Sequence, residues 1–236
     1  MEKENYILHN YDKIPLKIFQ TWETKNLPKN MKLASESLRK SNPEFEYYLY
    51  DDKDCETFIK NNYSFEVLNA FNTLIPGAYK ADLWRYCILY FYGGIYVDIK
   101  FKSNNKFKFI DLINKDYYVK DIKASFNGIY NGLIISKQRN DKLLECIEQI
   151  VSNTKLKFYG DSYLHVTGPK LFDQFFSNDE KKNLVLQLRI INDKHNICFG
   201  KDIILSEYKE YRDEQRKTNS KGHYASLWIK RNIYMY

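Results

Sequence analysis

Asp82 and Arg85 stand three residues apart in the run Gly77-Ala78-Tyr79-Lys80-Ala81-Asp82-Leu83-Trp84-Arg85-Tyr86. Just downstream, Gly93-Gly94-Ile95-Tyr96-Val97-Asp98-Ile99-Lys100 ends an apolar stretch on a carboxylate. On a helix, residues three apart share a face, and here both lie in the first turns, near the positive end of the helix dipole. The double glycine permits a tight turn and a close approach of backbone to a ligand. Ligands of open α/β sheets sit beyond the carboxyl ends of strands, and an unpaired charge is costly to bury, so Asp98 is expected to face a site. An i,i+3 ion pair or a strand-end Asp is ordinary by itself; both, with the glycines, within about 20 residues mark a candidate site.

The flanking pattern predicts the elements that carry these residues. Leu16 to Gln20 alternates as a strand after Pro15. Pro28 opens a helix to about Lys40, and Asn42-Pro43 ends it. Phe45 to Tyr50 is a second strand, with Phe45, Tyr47 and Leu49 on one face. Asp51 or Asp52 caps a helix over Lys53 to Asn61. A long helix runs from Ala78 to about Phe91, stops at the glycines, and leads into a strand from Ile95 to Ile99. Further on, strands are expected at Ile129 to Ile135, Leu184 to Ile191 and Asp202 to Leu205. Helices are expected at Asp141 to Val151 and around Leu171, Phe172, Phe175 and Phe176. Glu207 to Gly222 is highly charged and is expected to be a mobile loop. The alternation points to an α/β sheet. With no repeat, linker or composition break, one domain over 1–236 is expected.

A 236-residue chain with 44% hydrophobic and 28% charged residues is globular rather than disordered. The net charge of +7 suits solubility or a phosphate-bearing partner. The lysines are dispersed, which argues against a nucleic-acid arm and against the nucleic-acid-binding role that charge and aromatic content suggest. Cys55, Cys87, Cys146 and Cys198 form no CxxC pair; Cys87 and Cys146 fall in apolar helical patterns as buried thiols, and a reducing compartment is the simpler inference. The first ten residues have no apolar run of a signal peptide, and no stretch approaches the ~18 apolar residues of a membrane span. The expectation is a soluble cytoplasmic protein with at most peripheral membrane contact. His9, His165 and His195 lack a supporting pattern and are expected to be surface or core residues.

The block at 77–100 resembles the DXD-containing sugar-binding region of glycosyltransferase family 32, retaining enzymes related to yeast initiating α-1,6-mannosyltransferase, inositol-phosphoceramide mannosyltransferases and capsular sugar transferases. It is also similar to the catalytic core of the clostridial glucosylating toxins. Ile14-Pro15-Leu16-Lys17-Ile18-Phe19-Gln20-Thr21-Trp22, Asn131-Gly132-Leu133-Ile134-Ile135-Ser136, the Tyr159-Gly160 to Thr167-Gly168-Pro169 segment and Gly222-His223-Tyr224-Ala225-Ser226-Leu227-Trp228 resemble further family segments. The likeness spans roughly 14 to 230. It implies a GT-A, Rossmann-like nucleotide-sugar-binding fold with a mixed central sheet flanked by helices. The implied activity is hexose transfer, with retention, from a nucleotide-diphosphate sugar such as GDP-mannose or a UDP-hexose to a glycan, glycolipid or protein acceptor. Gln20, Thr21 and Trp22 would line the base and ribose pocket, while Asp82 and Arg85 would hold donor hydroxyls and diphosphate, as suits a carboxylate and a guanidinium. Asp98 would be the motif's first acid, near the ribose and metal. Asn131 would reach the donor sugar or acceptor, and His223 and Trp228 would close over the diphosphate. Gly94 and Tyr96 complete the expected donor-binding set.

One position departs from the family. The motif is Asp98-Ile99-Lys100 where Asp-x-Asp is usual, and an ammonium cannot ligate the Mn²⁺ or Mg²⁺ that the second acid binds. On a strand, Lys100 would point to the side of Asp98. Either Lys100 supplies positive charge to the leaving diphosphate, or a metal stays, held by Asp98, water and a loop residue such as His223. A weaker or altered metal requirement is favoured. The competing reading is a catalytically silent nucleotide-sugar or glycan-binding module.

Overall fold

The structure, a computed structural model, describes residues 13–104, 107–122, 128–218 and 220–235; His9 lies outside them. Strand β1 (Lys17–Thr21) leads to helix α1 (Lys29–Ser41), β2 (Glu46–Tyr50), α2 (Asp52–Asn62), α3 (Phe65–Thr73), α4 (Gly77–Tyr92) and β3 (Gly94–Val97). The short β4 (Phe101–Ser103), a 3-10 turn at Phe109–Leu112, β5 (Tyr117–Asp121) and β6 (Gly128–Ser136) follow. Helices α5 (Asp141–Lys155), α6 (Pro169–Asp173) and α7 (Asn178–Lys182) precede β7 (Leu186–Ile191), β8 (Lys194–Phe199) and β9 (Asp202–Glu207). Helices α8 (Tyr211–Thr218) and α9 (Tyr224–Ile229) complete the order.

Local chemistry accounts for the first half. Asp51 caps α2 by accepting from the Asp54 amide at 2.9 Å, and Asp54 returns the bond to the Asp51 amide. Helix α4 ends on Gly93, whose φ of +66° is a left-handed cap that a side chain resists. Gly94 follows at φ +108°, and a Cβ there would stand 2.7 Å from the Lys17 carbonyl oxygen, so β3 can lie against β1 only because residue 94 is a glycine.

The nine strands form one mixed sheet in the order β2-β1-β3-β6-β5-β7-β8-β9-β4. β1 pairs in parallel with β2 and β3; β6 then runs antiparallel to β3. Alternation along β1 sends Phe19 into an apolar layer with Trp84, Tyr86, Ile147 and Phe172, and Ile18 into the opposite layer with Val97, Leu133 and Leu205. The connectivity has one geometric consequence. β3 is third in the sheet and β4 ninth, yet only residues 98–100 separate them. Four residue steps reach at most about 14 Å, so the sheet curls until its far edge returns to β3. The Asp98-Ile99-Lys100 turn bridges that closure, and β9 is brought beside it through the Phe101–Glu207 pair.

Two expectations are corrected. The strand expected to reach Ile99 ends at Val97; the Asp98 amide donates to the Gly132 carbonyl at 2.8 Å, and residues 98–100 form a turn closed by Phe101 N–H to Asp98 O at 3.1 Å. The charged segment 207–222, expected as a mobile loop, contains α8. Its Glu214 accepts from the Asn30 and Met31 amides at 2.9 and 3.0 Å, capping α1, whose own N-cap position is a proline with no side-chain acceptor. Helices α3, α7 and α9 and strands β4, β5 and β8 were not foreseen in the sequence pattern.

Candidate active site

The cleft lies at the carboxyl ends of β1 and β3 and has a volume of about 270 Å³. Helix α4 supplies one wall. Asp82 and Arg85, one turn apart, are both buried, and the Arg85 guanidinium lies 3.1 Å from Asp82 Oδ1 and 3.3 Å from Asp98 Oδ1. Arg85 is further fixed by donating to the Asn131 carbonyl at 2.7 Å and by stacking 4.3 Å above the Tyr96 ring. It therefore joins a helix carboxylate to a strand-end carboxylate.

Each carboxylate is oriented by neutral donors. Asn131 donates to Asp82 Oδ1 at 2.9 Å and Thr167 to Asp82 Oδ2 at 2.7 Å; Asn131 is itself close to the Tyr86 hydroxyl, at 2.8 Å. Tyr96 donates to Asp98 Oδ1 at 3.0 Å and Tyr130 to Asp98 Oδ2 at 2.8 Å. Lys100 Nζ stands 3.6 Å from Asp98 Oδ2. Gly132 makes the Tyr130–Asp98 contact feasible, because a Cβ there would overlap the Tyr130 hydroxyl and Asp98 Oδ2.

The environments separate the two acids. Burial raises the Asp82 carboxyl, outweighing Arg85, Thr167 and Asn131. Burial also pushes Asp98 upward, but Arg85, Lys100 and the Tyr130 and Tyr96 hydroxyls overcome it and hold Asp98 below the ordinary carboxylate range. Burial pulls the Lys100 ammonium down against Asp98 and Glu207, and pulls His223 down with help from Arg212.

Thr21, Trp22, Asp82, Arg85, Tyr96, Asp98, Lys100, Asn131 and His223 all line the cleft. Three other expected residues do not. Gln20 is fully buried behind Asp98, donating to its carbonyl at 3.3 Å and accepting from Tyr47 at 2.8 Å. Gly94 serves strand packing. Trp228 packs against the core and donates to the Tyr159 carbonyl at 2.7 Å. The sequence reading missed Tyr130 and Thr167, and also His195 and Arg212, which line the cleft from β8 and α8. His195, expected as a surface or core residue, lies 2.6 Å from Glu207.

The donor chemistry around Asp98 does not fit a divalent cation. Each Asp98 oxygen already meets a tyrosine hydroxyl and a cationic group, and the motif's second position offers an ammonium. Among the described residues no cluster of three or more His, Cys, Asp or Glu is placed to hold a metal. The site can offer acceptors to hydroxyl groups at Asp82 and Asp98, and donors to anionic oxygens at Arg85 and Lys100.

Residues 28–120 match the glycosyltransferase sugar-binding region containing the DXD motif, a stretch that includes α4, β3 and the Asp98 turn. Over that stretch the chain is similar to members of that family. It is 38% identical over 86 residues to inositol phosphoceramide mannosyltransferase 2 of Schizosaccharomyces pombe, covering 36% of this chain and 25% of that protein. It is 34% identical over 145 residues to mannosyl phosphorylinositol ceramide synthase SUR1 of Saccharomyces cerevisiae, covering 61% of this chain and 37% of that one. An uncharacterized glycosyltransferase of Acanthamoeba polyphaga mimivirus is 28% identical over 188 residues, covering 77% of this chain and 72% of the viral protein. The match thus spans only 25% to 37% of these yeast relatives' length. Among solved structures, the PaToxG glycosyltransferase superimposes with a TM-score of 0.55 at 18% identity over 69% of each chain. That likeness establishes the α/β glycosyltransferase fold, with its curled mixed sheet between helices. Among the described residues no helix is long and apolar enough to cross a membrane.

Proposed function

We propose that this chain transfers a hexose, with retention of anomeric configuration, from a nucleoside-diphosphate sugar to a hydroxyl of a glycan, glycolipid or glycoprotein. The observation that carries this reading is the coupling of Asp82, Arg85 and Asp98 in one cleft at the carboxyl end of β3. Asp82 is oriented to accept from sugar hydroxyls. Arg85 is oriented to donate to diphosphate oxygens. Thr21 and Trp22, at the end of β1, form the wall suited to base and ribose. The names of the yeast relatives favour mannose as the sugar and a glycolipid as the acceptor; UDP-glucose, UDP-galactose and UDP-N-acetylglucosamine remain in the donor class.

In the transfer, the bond between the anomeric carbon and the diphosphate oxygen breaks. The acceptor oxygen forms its bond on the same face, and the acceptor proton passes to the departing diphosphate. Positive charge at Arg85 and Lys100 stabilises the charge that develops there. The route needs no protein nucleophile. Incubating the protein with a panel of nucleotide sugars and candidate acceptors, and following anomeric signals by NMR, tests it. An α-linked product from an α-configured donor is expected, with turnover lost in Asp98→Asn. A β-linked product would exclude retention.

The Lys100–Asp98 pairing also favours a second reading, a module that binds nucleotide sugars without turning them over. Saturable donor binding without transfer or donor hydrolysis would select it.

A further inference from the structure

Lys100 occupies the position of the motif's second acid, and the curl of the sheet surrounds it with groups from the far end of the chain. The Lys100 carbonyl accepts from the Tyr208 amide at 3.1 Å, which ties the turn to the segment that leads into α8. Phe101 pairs with Glu207 across β4 and β9. Glu207 is buried and holds His195 at 2.6 Å and the Arg212 guanidinium at 3.5 Å, and both of those residues line the cleft. Lys100 itself is 9% exposed, its Nζ 3.6 Å from Asp98 and 5.2 Å from the centre of the Tyr130 ring. An ammonium fixed in this way, with the Arg212 guanidinium on α8 and Arg85 on α4, forms a set of donors for anionic oxygens. A metal bound to Asp98 would have to displace a tyrosine hydroxyl or a cation from the carboxylate and sit beside a like charge.

We propose that this chain holds the diphosphate of a nucleotide donor without a divalent cation, using the Lys100 ammonium where the metal would be and the Arg212 guanidinium of α8. Glu207 positions both cations; it does not touch the ligand. The inference rests on the nucleotide-sugar reading above, and deepens it by naming what replaces the metal. Its cause is partly electrostatic and partly topological. The second acid is absent from the sequence, and α8, packed against the N-terminus of α1 through Glu214, brings in a cation from a segment far from the motif.

The test is calorimetric titration of the full chain with UDP and with GDP, in EDTA and in Mn²⁺. The native protein is expected to bind at least one of them in EDTA, with Mn²⁺ changing Kd by less than about threefold. Lys100→Ala is expected to weaken binding in EDTA by about tenfold or more, as befits loss of a charge-assisted bond in a shielded site. Arg212→Ala, on a half-exposed side chain whose removal leaves the core intact, is expected to weaken it several-fold. Lys100→Asp, which restores two acids, is expected to lose binding in EDTA and regain it with Mn²⁺. Native binding that requires Mn²⁺ overturns the inference and leaves the nucleotide-sugar reading standing. Native-like affinity in EDTA for both Lys100→Ala and Arg212→Ala also overturns it. Failure of the native protein to bind either nucleotide in either buffer overturns both.

Discussion

Asp82 and Asp98 are shifted in opposite directions, so they contribute to stability with opposite sign. Asp98 is held below its ordinary 3.8 in the folded chain. Its stabilising contribution is present above that value and is lost as the pH falls through the depressed one. Replacing it with Asn removes one carboxylate from between Arg85 and Lys100, leaving Arg85 with Asp82 alone and Lys100 with the more distant Glu207, and Asp98→Asn is expected to destabilise by about 1–3 kcal/mol at neutral pH. Thermal unfolding followed from pH 7 downward checks this: the gap should close below the ordinary carboxylate pKa. Asp82 is raised above 3.8, so its contribution is present below 3.8 and lost as the pH rises through its folded value. Ionised Asp82 is therefore a cost to the fold at neutral pH. Asp82→Asn is expected to unfold at the same or a higher temperature than the parent at pH 7 while binding donor more weakly. A variant that is markedly less stable and binds donor normally would show that Asp82 is a structural ion-pair partner only.

At this scale the sequence disclosed the charged groups but not their supports. Asp82, Arg85 and Asp98 could be found because helix periodicity and a strand end place them. Tyr130 and Thr167 hold the two carboxylates through hydroxyls that come from distant segments. A tyrosine within an apolar strand or a threonine before Gly-Pro carries no local sign of its partner.

At the scale of elements, the site depends on β6 pairing antiparallel with β3 so that Gly132 lies opposite Asp98, and the missing side chain leaves room for the Tyr130 hydroxyl to reach the carboxylate. Gly132→Ala would drive a methyl group into the Tyr130–Asp98 bond. It is expected to cost about 1–3 kcal/mol through overpacking, with a matching fall in melting temperature and weaker donor binding. A conservative change elsewhere on β6 should lower stability without the binding loss. The glycine pair before β3 was legible because a helix stop and a tight approach both demand it. Helix α8 was misread because five of its eight residues are charged and its helicity is fixed from outside, by the Glu214 contacts to α1 and by Tyr208 and Tyr211 packing beside Met31 and Ile99. Lys100 was placed beside Asp98 for a mistaken reason: strand alternation would have put it there, whereas a turn does so here.

At the scale of the whole molecule, the curled sheet joins a local motif to the chain's second half. The α/β class followed from the alternation of elements up to β3. The closing of β4 onto β9 could not, since pairing between segments about a hundred residues apart leaves no periodic trace in either. The C-terminal segment is bound by the same logic. The Ile75 amide donates to Ile233 O at 2.9 Å and the Met235 amide to Thr73 O at 2.8 Å, while the buried Tyr234 ring packs on Tyr159. These contacts anchor α9, which begins at the cleft-lining His223. Tyr234→Ala is expected to cost about 3–5 kcal/mol, as for a large buried aromatic, and to weaken donor binding through α9, although Tyr234 does not line the cleft. Chemical denaturation and ligand titration on the same sample measure both effects.

A thermal-shift screen of nucleotide sugars against the native chain and Asp98→Asn bears most directly on whether Asp82, Arg85 and Asp98 together hold an activated sugar. A ligand that binds the native state alone raises its melting temperature, by about 2.7 kcal/mol of stability at a hundredfold excess over Kd. At least one of GDP-mannose and the UDP-hexoses should stabilise the native chain in this way, and the same ligand should lose most of its effect on Asp98→Asn. Equal stabilisation of both proteins, or no response of the native chain to any nucleotide sugar, would contradict it.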